Sequence, residues 1–199
     1  MSTFSKQEKS WILYDVANSA FTMLISTTIP IFFRSLAEQD ISAASATGIW
    51  GLSTSLAVLI LAVMSPFLGA LADYRGMKKK MFSVFLVVGV AGLLLLSFSG
   101  NWLGYLMLVI LSRIGYSACN IFYDSMLVDV TSDDRMDRVS SYGYALGYIG
   151  SCIPFAIGIV LILLRPFGLS TQTATQISFV ITALWWVGLT IPLLKNVRQ

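Results

Sequence analysis

The stretch Gly69-Ala-Leu-Ala-Asp73-Tyr-Arg75-Gly76-Met-Lys78-Lys79-Lys80 decides how this chain is read. Four of the chain's 13 Lys and Arg residues fall between Arg75 and Lys80, the densest positive cluster present. Long apolar runs flank it on both sides, so it is a short loop at a membrane face. Lys and Arg in short loops mark the cytoplasmic side. This loop therefore orients everything before and after it.

Composition supports the membrane reading. Hydrophobic residues make up 56% of 199 and charged residues 12%, against roughly 25% charged in ordinary soluble domains. Mean hydropathy is +0.78. The net charge of +3 does not point to nucleic acid, because the basic residues sit in loops of one face. Cys119 and Cys152 both lie inside apolar runs, and the sequence has no His. That combination argues against a disulfide framework, a metal site, Ser-His proteolysis and Cys-His chemistry, and no cofactor is expected.

Hydropathy predicts six membrane helices in one domain, at about 10–33, 46–72, 80–98, 102–130, 139–164 and 173–194. Met1–Ser10 reads as a short cytoplasmic leader. Lys6, Lys9, Arg75, Lys78, Lys79, Lys80, Arg135, Arg138, Lys195 and Arg198 then fall inside, and Arg34 and Arg165 outside. Both termini are expected in the cytoplasm.

Asp15, Arg113 and Asp124 remain within the apolar runs. Such residues are costly in lipid and normally face the bundle interior or a water-filled cavity. Arg113 lies about eleven residues into its helix, roughly 16 Å deep. Asp15 and Asp124 lie about five residues from the cytoplasmic ends of theirs. Arg113, Asn120 and Asp124 share one face of the fourth helix. Asp15, Asn18, Ser19, Thr22 and Ser26 form a stripe on the first helix, and Tyr144, Tyr148 and Ser151 one on the fifth. Two polar stripes in an apolar chain suggest facing walls of one cavity. The bland alternative is that these groups tie helices together, at about 1 kcal/mol per contact. The three ions sum to one excess negative charge, which motivates a proton-coupled cycle through Asp15 or Asp124. Gly143 and Gly147, like Gly89 and Gly92, are expected at close helix contacts. Pro30, Pro66 and Pro154 are expected to kink helices.

Gly69-x-Leu71-x-Asp73-x-x-Gly76-x-Lys78 resembles the signature loop of the major facilitator superfamily. Tyr74 and Met77 stand where that family usually has basic residues, with Arg75 and Lys79 as neighbouring substitutes. Trp11-Ile-Leu-Tyr14-Asp15-Val-Ala17-Asn18-Ser19-Ala20-Phe21 is similar to the vacuolar amino-acid effluxer branch, the autophagy-related group with bacterial relatives. So are Asn120-Ile-Phe122-Tyr123-Asp124 and Asp137-Arg138-Val-Ser140-Ser141-Tyr-Gly143-Tyr144-Ala-Leu-Gly147-Tyr148.

The resemblance implies an all-α integral membrane protein, a secondary transporter of an amino acid or similar small solute working by alternating access. Its architecture would be two six-helix halves, each a three-plus-three inverted repeat, with substrate at their interface. Asp15, Asn18, Thr22, Arg113, Asn120, Tyr123, Asp124, Tyr144 and Tyr148 are the pathway candidates. Gly69, Asp73, Arg75, Gly76 and Lys78 would form a cytoplasmic gate, in which the acid matching Asp73 meets a helix end of the other half. Asp129, Arg135 and Arg138 join that gate by proximity. Ile153-Pro154 does not supply the family's Gly-Pro antiporter pattern, and no antiporter claim follows. Six helices correspond to one half. The chain is expected to be the N-terminal half of a longer protein, or else a half-size protein that pairs with a second copy. Its expected partners are the lipid bilayer, a small-molecule substrate and a second six-helix half. Its expected location is the cell membrane if bacterial and the vacuolar membrane if fungal. A non-transporting membrane scaffold is the competing class.

Overall fold

A computed structural model describes residues 4–198. Met1–Thr3 of the expected leader, and Gln199, lie outside the described residues. The elements are α1 (Lys6–Ser26), α2 (Thr28–Ala37), α3 (Ala43–Ala72), α4 (Met77–Leu96), α5 (Trp102–Ser125), the single turn α6 (Leu127–Val130), α7 (Met136–Leu164) and α8 (Thr171–Asn196). Among the described residues six stretches are long and apolar enough to cross a membrane, with α1 and α2 together making the first.

Local chemistry explains the boundaries. Ser5 and Glu8 form a reciprocal capping box: Glu8 N–H donates to Ser5 Oγ at 3.1 Å, and Ser5 N–H donates to Glu8 Oε2 at 2.6 Å. The first span therefore starts at Lys6, four residues earlier than hydropathy places it. It breaks at Thr27 (φ −130°, ψ −75°). Pro30 has no N–H to give the Ser26 carbonyl, and its ring would crowd that group, so α2 starts anew with Pro30 in its first turn. The expected fourth helix ends at Ser125 rather than running to Val130. The Met126 N–H is shared between the Phe122 and Tyr123 carbonyls at 3.2 and 3.1 Å, which tightens the chain into a separate turn. Gly76 joins α3 to α4 at φ +76°, a conformation only glycine adopts without strain.

Packing follows a repeat. α1 lies chiefly against α7 and α8, and α5 lies chiefly against α3 and α4. Span one thus relates to spans five and six as span four relates to spans two and three. This is the pattern of three helices repeated in inverted order, one half of a major facilitator fold. The closest approaches occur at glycines. A Cβ on Gly115 would stand 2.6 Å from Gly89 Cα, and one on Gly147 would stand 2.9 Å from Ser19 Oγ. Tyr14, Phe21, Phe82, Tyr105, Phe122, Phe179 and Trp186 fill the space between the helices and are fully buried.

Four side-chain contacts gather one end of the bundle. Lys78 bonds Asp129, Lys79 bonds the Val197 carbonyl, Arg135 bonds Glu8, and Asn196 Nδ2 donates to Ser10 Oγ at 2.9 Å. The start of the first span, the basic loop, the loop before α7 and the end of α8 therefore share one face. It is the face that the charge count above expects to be cytoplasmic.

Candidate functional site

The α1 and α5 stripes are joined directly. Asn18 Nδ2 donates to Asn120 Oδ1 at 3.1 Å, and the Thr22 and Tyr116 hydroxyls lie 2.7 Å apart. Nearer the basic-loop end of the bundle Trp11 and Tyr123 stack with ring centroids 4.3 Å apart. Each also hydrogen-bonds the other's backbone: Trp11 Nε1–H donates to the Tyr123 carbonyl at 3.1 Å, and the Tyr123 hydroxyl donates to the Trp11 carbonyl at 3.3 Å. The two helices are thus neighbouring staves of one wall, not walls facing each other across a gap. The chain is too short of polar groups to leave two stripes apart. Their amides and hydroxyls satisfy one another where they touch.

Asp15 and Asp124 flank this seam. Asp15 is half-buried beside α7, where a Cβ on Gly143 would lie 3.2 Å from its Oδ2. Asp124 is exposed in the last turn of α5, and the two carboxylates are near enough for their charges to interact. Neither takes a hydrogen bond or ion pair from any described residue. α7 adds Tyr144 and Tyr148, exposed with ring centroids 5.3 Å apart. Ser151 turns away from them: it is buried, and its hydroxyl donates to the Tyr148 carbonyl at 2.9 Å.

Arg113 is placed elsewhere. It lines a narrow crevice with Ser53, Thr54 and Ala57 of α3. It lies eleven residues before Asp124, about 16 Å along the helix axis, and pairs with no carboxylate among the described residues. The structure therefore brings together two of the three ions within the apolar runs and leaves the third against span two.

The gate candidates divide into two groups. Lys78 Nζ meets Asp129 Oδ2 at 2.7 Å and donates to the Ser125 carbonyl at 2.9 Å, tying the signature loop to α6. Asp73, Arg75, Gly76, Lys78 and Asp129 line a cleft of about 190 Å³ there. Asp73 ends α3 exposed and without a partner among the described residues, and a Cβ on Gly69 would meet nothing within 4 Å. Arg135 and Arg138 turn instead toward the start of α1. Arg135 holds Glu8 through two bonds, Nε to Oε1 at 2.8 Å and Nη2 to Oε2 at 2.9 Å, and the Thr131 hydroxyl donates to Oε1 at 2.7 Å. Arg138 lies 5.1 Å over the Phe4 ring.

Two participants escaped the sequence reading. Glu8 falls within the Met1–Ser10 leader, although Ser5-x-x-Glu8 is the pattern of a capping box and marks a helix start. Tyr116 stands four residues before Asn120 on the same face, but it was absorbed into an apolar run.

The family described as vacuole effluxer Atg22 like matches residues 41–135 and 128–199, most of the chain. The chain belongs to this family. It is 47% identical over 206 residues to the uncharacterized MFS-type transporter YxiO of Bacillus subtilis (strain 168), covering 100% of this chain and 48% of that protein. An uncharacterized protein of Aquifex aeolicus (strain VF5) is 27% identical over 157 residues, 72% of this chain and 36% of its own length. The chain therefore spans about half or less of each of these relatives. No solved structure matches it. Six membrane-length apolar helices and an MFS-type relative make the chain a multi-pass integral membrane protein.

Proposed function

We propose that this chain is the N-terminal half of a secondary transporter that moves an amino acid or similar small solute by alternating access. The observation that carries the reading is the α1–α5 wall, where Asn18, Asn120, Thr22 and Tyr116 are mutually bonded. Asp15, half-buried beside α7, and Asp124, exposed, flank it without hydrogen-bond or ion-pair partners among the described residues. Placing two carboxylates within membrane-spanning helices only to hold those helices together is energetically poor, since neither bonds a neighbour. A second six-helix half laid over this wall, and over α7 with Tyr144 and Tyr148, encloses a polar pathway. The paired helices supply hydrogen-bonding groups for a zwitterion. The two carboxylates supply sites for its ammonium group or for a proton.

The same arrangement supports a gate. Lys78 and Asp129 fix the signature loop, and this leaves Asp73 free to meet a helix end from the other half. The open space beside Gly69 fits a helix from that half. In a bacterium the protein would reside in the cell membrane.

Uptake of labelled amino acids into proteoliposomes holding the full-length protein tests the reading, at several pH values. Asp15→Asn or Asp124→Asn is expected to abolish uptake or its pH dependence. Unchanged uptake and unchanged pH dependence in both variants would remove the transport role of this wall and favour a scaffold.

A further inference from the structure

α4 and the end of α8 meet at the cytoplasmic face around a cleft of about 560 Å³. Its walls carry Lys79 and Lys80 from α4, Lys195 from α8 and Arg198 just after it, with Ser83 beside them and no Asp or Glu among the described lining residues. Lys79 Nζ donates to the Val197 carbonyl at 3.0 Å, which holds the two cationic ends together. α4 begins without a side-chain cap and has no acid in its first turn. The positive end of its dipole therefore adds to the same potential. Asp129, which pairs with Lys78, lies in the separate cleft on the other side of the loop. Cations gathered around open space in this way favour an anion between them.

The chemistry below the cations narrows the choice of anion. On α4, Val84 and Val87 follow Lys80 at helical spacing. On α8, Ile191, Val187 and Leu184 precede Lys195 in the same way. All five are exposed. A basic mouth at the membrane surface thus continues into apolar tracks running toward the bilayer centre.

We propose that this cleft binds the phosphate headgroup of an anionic phospholipid of the cytoplasmic leaflet, with its acyl chains along those tracks. Clustered Lys and Arg at this level attract anionic headgroups. A free phosphate ion or an acidic peptide would meet the cations but leave the apolar tracks unused.

The test is native mass spectrometry of the full-length protein, titrated separately with phosphatidylglycerol, phosphatidylcholine and inorganic phosphate. The wild type is expected to retain phosphatidylglycerol in preference to the other two. The triple variant Lys80→Gln, Lys195→Gln, Arg198→Gln should lose about 100-fold in phosphatidylglycerol affinity, or about fivefold per cation. Lys80→Arg with Lys195→Arg should retain it, which separates loss of charge from loss of fold. The proposal fails if the Gln variant binds phosphatidylglycerol like wild type, or if phosphatidylcholine is held equally well. It also fails if inorganic phosphate displaces the lipid at matched concentration, which would mark a site for a soluble anion.

Discussion

Gly115→Ala adds one methyl group at the crossing of α4 and α5, where the structure leaves it no room. The new Cβ would stand 2.6 Å from Gly89 Cα and 3.0 Å from the Phe85 carbonyl oxygen. Both neighbours are backbone atoms, so no side chain can rotate aside and the helices must separate. Overpacking of this kind costs about 1–3 kcal/mol. Separation also lengthens the bond from Ser112 Oγ to the Gly89 carbonyl, now 2.8 Å. Such a bond is worth about 0.6 kcal/mol inside a membrane. Together these terms come to about 1.6–3.6 kcal/mol, or a fall of about 3–14 °C in apparent Tm at about 2–4 °C per kcal/mol. Gly188→Ala is the matched control, because a Cβ there meets nothing within 4 Å. Replacing that helical glycine should raise stability by up to about 1 kcal/mol. Thermal unfolding of both full-length variants in one detergent gives the comparison. A Gly115→Ala protein that melts with the wild type, or above it, would refute the close crossing and the helix arrangement built on it.

Three further outcomes are expected. Lys78→Gln or Asp129→Asn should loosen the signature loop and speed its cleavage by protease from the cytoplasmic side, and the exchanged pair Lys78→Asp with Asp129→Lys should restore protection. Equal cleavage in every variant would show that the 2.7 Å pair does not hold the loop. Arg135→Gln should release the loop before α7, and Glu8→Ala should do so more strongly, since Glu8 also caps α1. Exchanging the two residues should rescue loop protection only in part, because Arg at position 8 cannot accept the Ser5 N–H. Full rescue would mean that the cap contributes nothing. Finally, a water-soluble maleimide should label exposed Cys152, which continues the Tyr144–Tyr148 face at a spacing of four residues, and should spare buried Cys119. Cys152 that resists the reagent in full-length protein would place this face in lipid or against tightly packed protein.

What the sequence revealed and what it withheld divide along a physical line. Apolar length and loop charge are properties of single segments, so six spans separated by the charged loops at Arg75, Lys78–Lys80, Arg135 and Arg138 were readable. Small residues also speak for themselves, and Gly89, Gly92, Gly143 and Gly147 all sit at tight contacts. Helical periodicity, however, fixes a face only within its own helix. It cannot give the angle at which one helix presents that face to another. This is why the Asp15 and Asp124 stripes read as opposing walls when Asn18 and Asn120 in fact touch. It is also why Arg113 seemed to belong with Asp124, when the turn of α5 sets it against Ser53 and Thr54. Arg135 joins the gate in the sequence reading by proximity alone. Its choice of Glu8 depends on a contact across 127 residues that no local pattern encodes.

The partners of α1 have a temporal consequence. Trp185 reaches the Val16 carbonyl across 169 residues, and Asn196 reaches Ser10 across 186. At about 5–20 residues per second, a ribosome needs roughly 10–30 s after releasing α1 to complete α8. Through that interval the first span lies in the bilayer with Asp15 and Asn18 exposed and most of its packing surface bare. Its early companion is α5, which supplies Asn120, Tyr116 and Tyr123 while α7 and α8 are still unmade. The polar seam is therefore available as an assembly intermediate before it lines any route for a solute, and changes at Asn18 or Asn120 should lower the yield of inserted protein as well as its activity.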